Sequence, residues 1–404
     1  MTKEDRLLKK LEQINLQLST HYQNNEHVGV LSGISGISLF HFYYSRYMEN
    51  EQVADIGVDM ISETIQRIND GYSFPTFCTG IAGAGWVLEL LSEEEFIDID
   101  NDDLLSSLDE YLFKATKIDV TNEYYDFLHG AIGNGYYFLK RYQNTKSDEL
   151  KNTYKEYLMF LISALKKSSK KDNRGIWWDY ELNKKEEIIG ANLSLSHGMA
   201  SIINFLCRLY YFNDFRAAVE ELLQGSIDFI VHNKYEIEEN SCLFPSWVYT
   251  GMNEYVGNRL AWCYGDLGLG ISLWRAGVTL KNNEYQKLAI QTLKHAAKRK
   301  DPEEARIKDA GLCHGVFGII RIFNYMFKET KEEIFKETAD FWMDEALKMD
   351  IHENGHAGYM QWRGDLQEWN NEINLLEGTA GIGLSIISYL RPELTKWDEC
   401  LMIS

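Results

Sequence analysis

The sequence has few residues that break helices, and it lacks the features of membrane-spanning and nucleic-acid-binding chains. Only 4 of its 404 residues are proline, so long helices can run without interruption. No apolar run approaches the roughly 20 residues needed to cross a bilayer. The charged N-terminus MTKEDRLLKK is unlike a secretory signal. A formal net charge of −20 would repel a phosphate backbone, which argues against nucleic acid as a partner.

Cysteine is also scarce, and its spacing argues against a disulfide scaffold. The six cysteines are widely separated, which favours a reducing cytoplasm, where cysteines with matched positions indicate metal binding or catalysis. The first 26 residues have an amphipathic pattern and are predicted to form a helix packed on the rest of the chain. Peripheral attachment of this helix to the inner membrane face is the alternative to a purely cytoplasmic location.

A glycine-rich turn followed by an apolar run occurs seven times in the sequence. Each interval between turns has room for two helices of ordinary length with their connections. The residues directly after each turn are apolar on more than one side, as in a buried helix, and those between turns have one apolar face and one charged face. The first glycines of the seven turns are Gly33, Gly80, Gly130, Gly198, Gly265, Gly315 and Gly378.

This alternation predicts an all-α fold. The expected architecture is an α/α toroid, or barrel, of seven inner and seven outer helices in one domain over residues 1–404, with an open solenoid as the alternative. The glycine turns would lie at the N-termini of the inner helices, where glycine permits positive φ and close backbone approach. In the fourth turn Ser201 replaces a second glycine, which predicts a reshaped turn beside His197. The stretch GIWWDYEL (175–182) could form a short hairpin arm.

The register of the turns gathers chemically active residues at one end of the predicted ring. Three of the six cysteines, Cys78, Cys263 and Cys313, lie two positions before a first glycine, and histidines directly precede three of those glycines. Turns five and six are neighbours, and they supply Cys263, Cys313 and His314. Two thiolates and one imidazole suit a single Zn²⁺ ion and leave a fourth position open, as in catalytic sites. Cys78 is several turns away around the ring and is excluded as a ligand.

Three motifs carry a resemblance to a known family. WCYG (262–265), CHG (313–315) and SHG (196–198), together with the seven turns, resemble the lanthionine synthetase C family of lantibiotic cyclases over nearly the whole chain. The resemblance implies a zinc enzyme with an α/α toroid fold. Its reaction would be a Michael-type addition of peptide cysteine thiols to dehydroalanine or dehydrobutyrine, forming lanthionine and methyllanthionine rings. The implied partners are a dehydrated precursor peptide with its leader and a complex with a dehydratase and a transporter.

The same resemblance assigns the zinc to Cys263, Cys313 and His314, and it assigns catalytic roles to four further residues, His197, Arg259, Asp126 and Tyr264. His197 would protonate the enolate formed by thiol addition, because a general acid is needed at the α-carbon. Arg259 would stabilise the enolate oxygen and Asp126 would orient His197. The alternatives are a structural salt bridge for Arg259 and a helix cap or solvated loop for Asp126.

Several alternatives stay open at this point. His129 could act in place of His197, or simply bond a backbone carbonyl. The chain could instead add glutathione or another external thiol to dehydroamino acids, or serve as a non-catalytic zinc-containing scaffold for a dehydratase. HENGH (352–356) matches the H-E-x-x-H metalloprotease motif, but Asn354 and Gly355 predict a loop where that motif requires a helix.

The peptide must reach the predicted metal, so a groove is expected at that end of the ring. The long interval before turn five contains SCLFPSWVYTGMNEYVGNRL (241–260), whose aromatic residues either line the entrance or pack beneath a long loop. WWDYEL (177–182) is a second candidate for the same role. The aromatic residues in the first segment are Phe244, Trp247, Tyr249 and Tyr255.

Overall fold

A computed structural model describes residues 2–183, 185–236, 241–252 and 255–404. These residues include 14 α-helices and seven short strands. They form two compact units, the first made of Met1–Leu108 with Pro302–Ser404 and the second of Asp109–Asp301. A single domain over residues 1–404 stays a prediction. Within the described ranges, no helix combines the length and the apolar character that a membrane span requires.

Seven helices begin directly after the first glycine of a turn, and that glycine is the N-cap residue in each case. Most of their residues are buried, as expected for helices that are apolar on several sides. The prediction of seven inner helices is therefore confirmed. These helices are α2 (Ile34–Met48), α4 (Ile81–Glu93), α6 (Ala131–Asn144), α8 (Met199–Tyr210), α10 (Asp266–Thr279), α12 (Val316–Thr330) and α14 (Thr379–Leu390).

Seven further helices alternate with the inner ones, and they have the predicted one-sided burial. In the first of them, the buried apolar residues Leu7, Leu11, Ile14 and Leu18 recur every three or four positions. This helix begins after a capping box formed by Thr2 and Asp5. The outer helices are α1 (Lys3–His21), α3 (Glu51–Asn69), α5 (Asn101–Thr121), α7 (Asp148–Ser168), α9 (Asn213–His232), α11 (Asn283–Ala296) and α13 (Glu333–Ala346).

The first unit pairs inner helices with outer ones. Helix α12 packs against α14, α14 against α2, and α2 against α4. On the outside, α3 covers α2, α13 covers α12, and the N-terminal helix α1 covers α14. The predicted N-terminal amphipathic helix is therefore present and packed, and it serves as the outer helix for the last inner one. This unit also holds the hairpin of β6 (Gln361–Arg363) and β7 (Glu368–Asn370).

The second unit repeats this arrangement and adds strands. Helix α6 packs against α8 and α8 against α10, while α7, α9 and α11 cover them in that order. GIWWDYEL contributes to two antiparallel sheets, which confirms the hairpin arm but places it in more sheet than expected. The strands are β1 (Lys170–Asp172), β2 (Gly175–Trp177), β3 (Tyr180–Asn183), β4 (Ile188–Asn192) and β5 (Trp247–Tyr249), with β1 paired to β2 and the order β3-β4-β5 in the second sheet.

Backbone hydrogen bonds tie the glycine turns of the first unit to one another. The N–H of Cys313 donates to the carbonyl of Leu376 at 3.0 Å, and the N–H of Leu376 donates to the carbonyl of Leu31 at 2.8 Å. The N–H of Leu31 donates in turn to the carbonyl of Cys78 at 3.1 Å. All four residues lie two positions before a first glycine. The shared sequence register is therefore a shared structural position, because each turn forms the same hydrogen bonds with the next.

Close approach, rather than positive φ, explains most of the turn glycines. A Cβ at Gly36, the second glycine of the first turn, would lie 1.8 Å from the carbonyl oxygen of Val30. Six of the seven first glycines have extended backbone, and only Gly265 has a positive φ, of 91°. The expectation of positive φ is therefore wrong for the other six. The expectation of a reshaped fourth turn is also wrong, because α8 begins one residue after Gly198, and the Ser201 hydroxyl donates to the Gly198 carbonyl at 2.7 Å.

Candidate active site

A histidine and a carboxylate meet at the glycine turns of the second unit. The Nδ1 atom of His197, in turn four, lies 2.6 Å from Oδ2 of Asp126. Asp126 is only 5% exposed, and its Oδ1 atom accepts a hydrogen bond of 2.8 Å from the backbone N–H of His129. The carboxylate is therefore held on one side by the backbone and directs its other oxygen at the imidazole, so the structure brings these two predicted site residues together.

The environment of this pair distinguishes the two histidines. Burial lowers the pKa of His197, but the hydrogen bond and the charge of Asp126, with the charge of Cys263, raise it more, so the net shift is upward. Burial lowers the pKa of His129, and His197 lowers it further against the opposing effect of Asp126. The two rings are stacked with centroids 6.3 Å apart. His197 therefore holds a proton more readily than His129 does.

The His197–Asp126 pair faces a cavity of about 900 Å³ within the second unit. Tyr264 also lines this cavity, and its hydroxyl accepts a hydrogen bond of 3.3 Å from Nδ2 of Asn192. A cavity of this volume can admit several residues of a peptide, with the imidazole at its wall. The remaining lining residues are Asn122, Glu123, Tyr124, Asp179, Tyr180, Glu181, Leu182, Glu187, Ile189 and Trp247.

The aromatic residues proposed for the entrance have different surroundings. Trp247 lines the cavity, with its ring edge-on to Tyr264 at a centroid distance of 6.3 Å. Phe244 is fully buried, so its ring packs in the interior and does not line the entrance. Tyr249 is half-buried in β5. The Tyr255 hydroxyl lies 2.6 Å from the hydroxyl of Ser241. WWDYEL contributes four residues to the cavity wall, from Asp179 to Leu182. Residues 253 and 254 of the first segment lie outside the described part of the chain.

Sequence reasoning missed the residue that anchors this segment. Asp266 is the first residue of α10, and its carboxylate accepts hydrogen bonds from the backbone N–H groups of Leu243 at 2.8 Å and Phe244 at 3.1 Å. Burial raises the pKa of Asp266 to about 7. An acidic residue directly after a turn glycine was the available signal, although a simple helix N-terminus explains it equally well.

Turn five holds Cys263 in a buried bend. Cys263 is 7% exposed, and its carbonyl accepts hydrogen bonds from the N–H groups of Leu195 at 3.0 Å and Ser196 at 3.3 Å. The positive φ of Gly265 makes glycine necessary here, since a side chain would be strained in that conformation. Arg259, four residues before Cys263, is exposed and is not among the residues that line the cavity.

Turn six of the first unit carries a cysteine and a histidine side by side. Cys313 and His314 are both half-buried, in the turn that precedes α12. The Nε2 atom of His314 lies 3.4 Å from Oδ2 of Asp309, which is 3% exposed. Sequence analysis did not single out Asp309. Cys78, which occupies the equivalent position in turn two, lies with its sulfur 3.4 Å from the Ser32 hydroxyl.

Comparison with known proteins identifies the family. The model of the lanthionine synthetase C-like proteins matches residues 26–402. The chain belongs to the lanthionine synthetase C-like family. It is 24% identical over 358 residues to the nisin biosynthesis protein NisC of Lactococcus lactis subsp. lactis, a match that covers 82% of this chain and 81% of that protein. The resemblance inferred from the three motifs is therefore confirmed.

A solved structure shows the fold of this family member. The structure of a nisin cyclase matches with a TM-score of 0.75 at 19% sequence identity, over 98% of this chain and 97% of the other. The α/α toroid predicted from seven glycine turns is therefore confirmed.

The HENGH motif of this family member lies in turns, as its asparagine and glycine predict. The ring of His352 packs on Trp369 with a centroid distance of 4.4 Å, and Nδ1 of His356 lies 2.9 Å from the side-chain oxygen of Gln17. The two histidines thus have separate structural contacts, and the helical geometry of a zinc protease is not formed here.

Proposed function

We propose that the chain is a zinc-dependent cyclase that forms lanthionine and methyllanthionine rings in a ribosomally made precursor peptide. The thiol of a peptide cysteine adds to dehydroalanine or dehydrobutyrine in the same peptide. The S–H bond breaks, a C–S bond forms at the β-carbon, and the α-carbon gains a proton, so no oxidant or reductant is consumed. The observation that carries the proposal is the family match across residues 26–402, supported by relatives named as nisin biosynthesis and nisin cyclase proteins.

We propose Cys263, Cys313 and His314 as the ligands of one zinc ion. Each of these residues offers one ligand atom. Two cysteine sulfurs and one imidazole are a donor set that zinc prefers, and three protein ligands leave a position for a substrate thiol. The chemistry expected from bound zinc is removal of the thiol proton near neutral pH, which supplies the nucleophilic thiolate.

Two residues of the second unit, His197 and Asp126, would carry out the proton transfer to the α-carbon. Asp126 holds Nδ1 of His197, which leaves Nε2 as the atom that can deliver a proton into the cavity. His197 would donate this proton to the α-carbon after the thiolate has added, as a general acid. Asp126 acts as its positioning residue and favours the protonated imidazole.

Two further residues would assist the reaction. Tyr264 lies on the cavity wall with its hydroxyl bonded to Asn192, so it can orient the peptide or the proton donor. Arg259 carries a permanent charge and would stabilise the enolate oxygen. Its exposure fits a role in which the side chain turns toward substrate only when a peptide is present.

The test combines a metal measurement with a product assay. Zinc is measured in the purified wild-type protein and in Cys313→Ala, and loss of free thiol is followed in a dehydrated precursor peptide. We expect about one zinc per chain in the wild type, and loss of both metal and turnover in the variant. Cys78→Ala is the matched control, because Cys78 has the same position in its own turn, and it should retain zinc.

The products distinguish the alternative functions. An intramolecular cyclase consumes peptide thiols with no change in peptide mass. Addition of an external thiol such as glutathione would increase the mass, and a non-catalytic scaffold would leave the thiols intact. Full zinc retention in Cys313→Ala would contradict the ligand assignment.

A further inference from the structure

A buried carboxylate lies behind the histidine of turn six, and nothing in the proposed reaction uses it. Oδ2 of Asp309 lies 3.4 Å from Nε2 of His314 and accepts a hydrogen bond of 2.9 Å from the backbone N–H of Trp362. Its other oxygen accepts a hydrogen bond of 3.1 Å from the N–H of Gly311. The Asp309 side chain is 1% exposed. The carboxylate is thus held at both oxygens, with the imidazole beside one of them.

The surrounding structure keeps Asp309 in this place. Trp362 belongs to the hairpin of β6 and β7, where its ring packs on that of Trp369 with a centroid distance of 5.2 Å. The ammonium group of Lys308, the residue directly before Asp309, lies 4.3 Å from the centre of the Trp362 ring. A Cβ at Gly315 would lie 2.4 Å from Oδ1 of Asp309, so glycine there leaves the space that the carboxylate occupies. These contacts fix the position of the Asp309 carboxylate beside the His314 imidazole.

A histidine that binds a metal must present one ring nitrogen without its proton. The other nitrogen then carries the proton, and a carboxylate beside that nitrogen favours this tautomer and fixes the ring. Asp309 faces Nε2 of His314, which leaves Nδ1 for the metal. We propose that Asp309 is a positioning residue that holds the proton of His314 on Nε2 and so prepares Nδ1 as a zinc ligand. This inference rests on the proposed function, because it assumes that His314 binds zinc.

A second carboxylate near His314 provides the control. Glu377 interacts electrostatically with His314, and burial raises its pKa while His314 lowers it. Its side chain also bonds to Gln361, the first residue of β6. Glu377→Gln therefore removes a negative charge near His314 and leaves the Asp309 contact in place. If the carboxylates act only through their charge, both variants should bind zinc more weakly. If Asp309 positions the imidazole, only Asp309→Asn should change the His314 tautomer and the zinc affinity.

The experiment has two readouts. The first is zinc affinity of wild type, Asp309→Asn and Glu377→Gln, measured by competition with a chelator. The second is the ¹⁵N spectrum of labelled histidines in the zinc-free protein, in which the His314 signals are assigned by their loss in His314→Gln. We expect the Nε2–H tautomer in the wild type and in Glu377→Gln. In Asp309→Asn we expect a mixture of tautomers and roughly 10- to 100-fold weaker zinc binding.

The outcomes separate this inference from the proposed function. Wild-type affinity in Asp309→Asn, or a wild-type His314 protonated at Nδ1, would overturn the role of Asp309. Equal weakening in Asp309→Asn and Trp369→Ala, with the tautomer unchanged in both, would show a merely structural contribution through the hairpin. If the wild type binds no zinc, the proposed metal chemistry fails, while the tautomer in the zinc-free protein still decides whether Asp309 directs the ring.

Discussion

The two compact units each contain a histidine beside a buried carboxylate, but the carboxylate faces a different nitrogen in each. In the second unit Asp126 contacts Nδ1 of His197 at 2.6 Å, and in the first Asp309 lies 3.4 Å from Nε2 of His314. In the His197–Asp126 pair the carboxylate contacts Nδ1, so Nε2, the ring nitrogen farther from the main chain, is the one left for the cavity that His197 lines. In the His314–Asp309 pair the carboxylate lies beside Nε2, so Nδ1, the ring nitrogen nearer the main chain, is the one left.

This difference fits two kinds of chemistry. A proton donor must reach a substrate atom in open space, which the distal nitrogen does best. A metal ligand that shares its ion with an adjacent cysteine gains from the nitrogen close to the main chain, since the donors then converge within one turn. The same residue pair in the same kind of turn thus has two proposed functions, and the nitrogen that the carboxylate holds decides between them.

The largest expected effect is the loss of zinc on replacement of His314, the proposed metal ligand of the two histidines. His314→Ala should reduce bound zinc from about one per chain to near zero and abolish ring closure, because only two ligands remain. Zinc content by elemental analysis and thiol loss in the dehydrated peptide measure both effects. Retention of zinc with loss of turnover would reverse the roles assigned to the two histidines.

The second effect separates proton transfer from metal binding. His197→Ala should keep its zinc and lose roughly 100- to 10,000-fold in the rate of ring closure, as expected for removal of a general acid. His129→Ala is the matched control, because its ring stacks on His197 and its Asp126 contact is through the backbone. A greater loss in His129→Ala would transfer the acid role to that residue.

A smaller effect is expected from replacing Asp126, the carboxylate beside His197. Asp126 raises the pKa of His197 in opposition to burial, so Asp126→Asn should lower that pKa. NMR titration of the zinc-free protein measures this directly. If His197 is the acid, ring closure requires its protonated form and declines as pH rises through its pKa, so the decline in Asp126→Asn should begin at a lower pH. An unchanged His197 pKa would show that Asp126 only caps its own loop.

The smallest expected effect lies outside both pairs. Replacement of His352 and His356 together by alanine should leave zinc content unchanged, because these residues contact Trp369 and Gln17 in a looped segment. A modest loss of thermal stability is the expected cost, since ring packing and one polar contact disappear. Loss of zinc in this double variant would instead support a site at HENGH.

Much of the fold was predictable because the turns obey a strict local rule. Each inner helix begins one residue after a first glycine, and backbone atoms within the turn leave no room for a Cβ at Gly36, Gly83, Gly318 and Gly381. A repeated steric requirement leaves a repeated sequence signal, so seven helices could be located from glycine alone. The pairing of β4 with β5 left no such signal, because these strands are far apart in sequence and pair only through tertiary contact.

For the site, the sequence by itself determined which residues have the chemistry of ligands and acids, because cysteine and histidine recur at fixed positions before the glycines. Only the tertiary structure decided how those residues are oriented. Asp309 and Asp266 are ordinary acidic residues in the sequence, and their functions depend on backbone N–H groups and rings brought to them from distant segments. A side chain's chemical type is a property of one position, whereas the choice of nitrogen on a histidine depends on what packs against it.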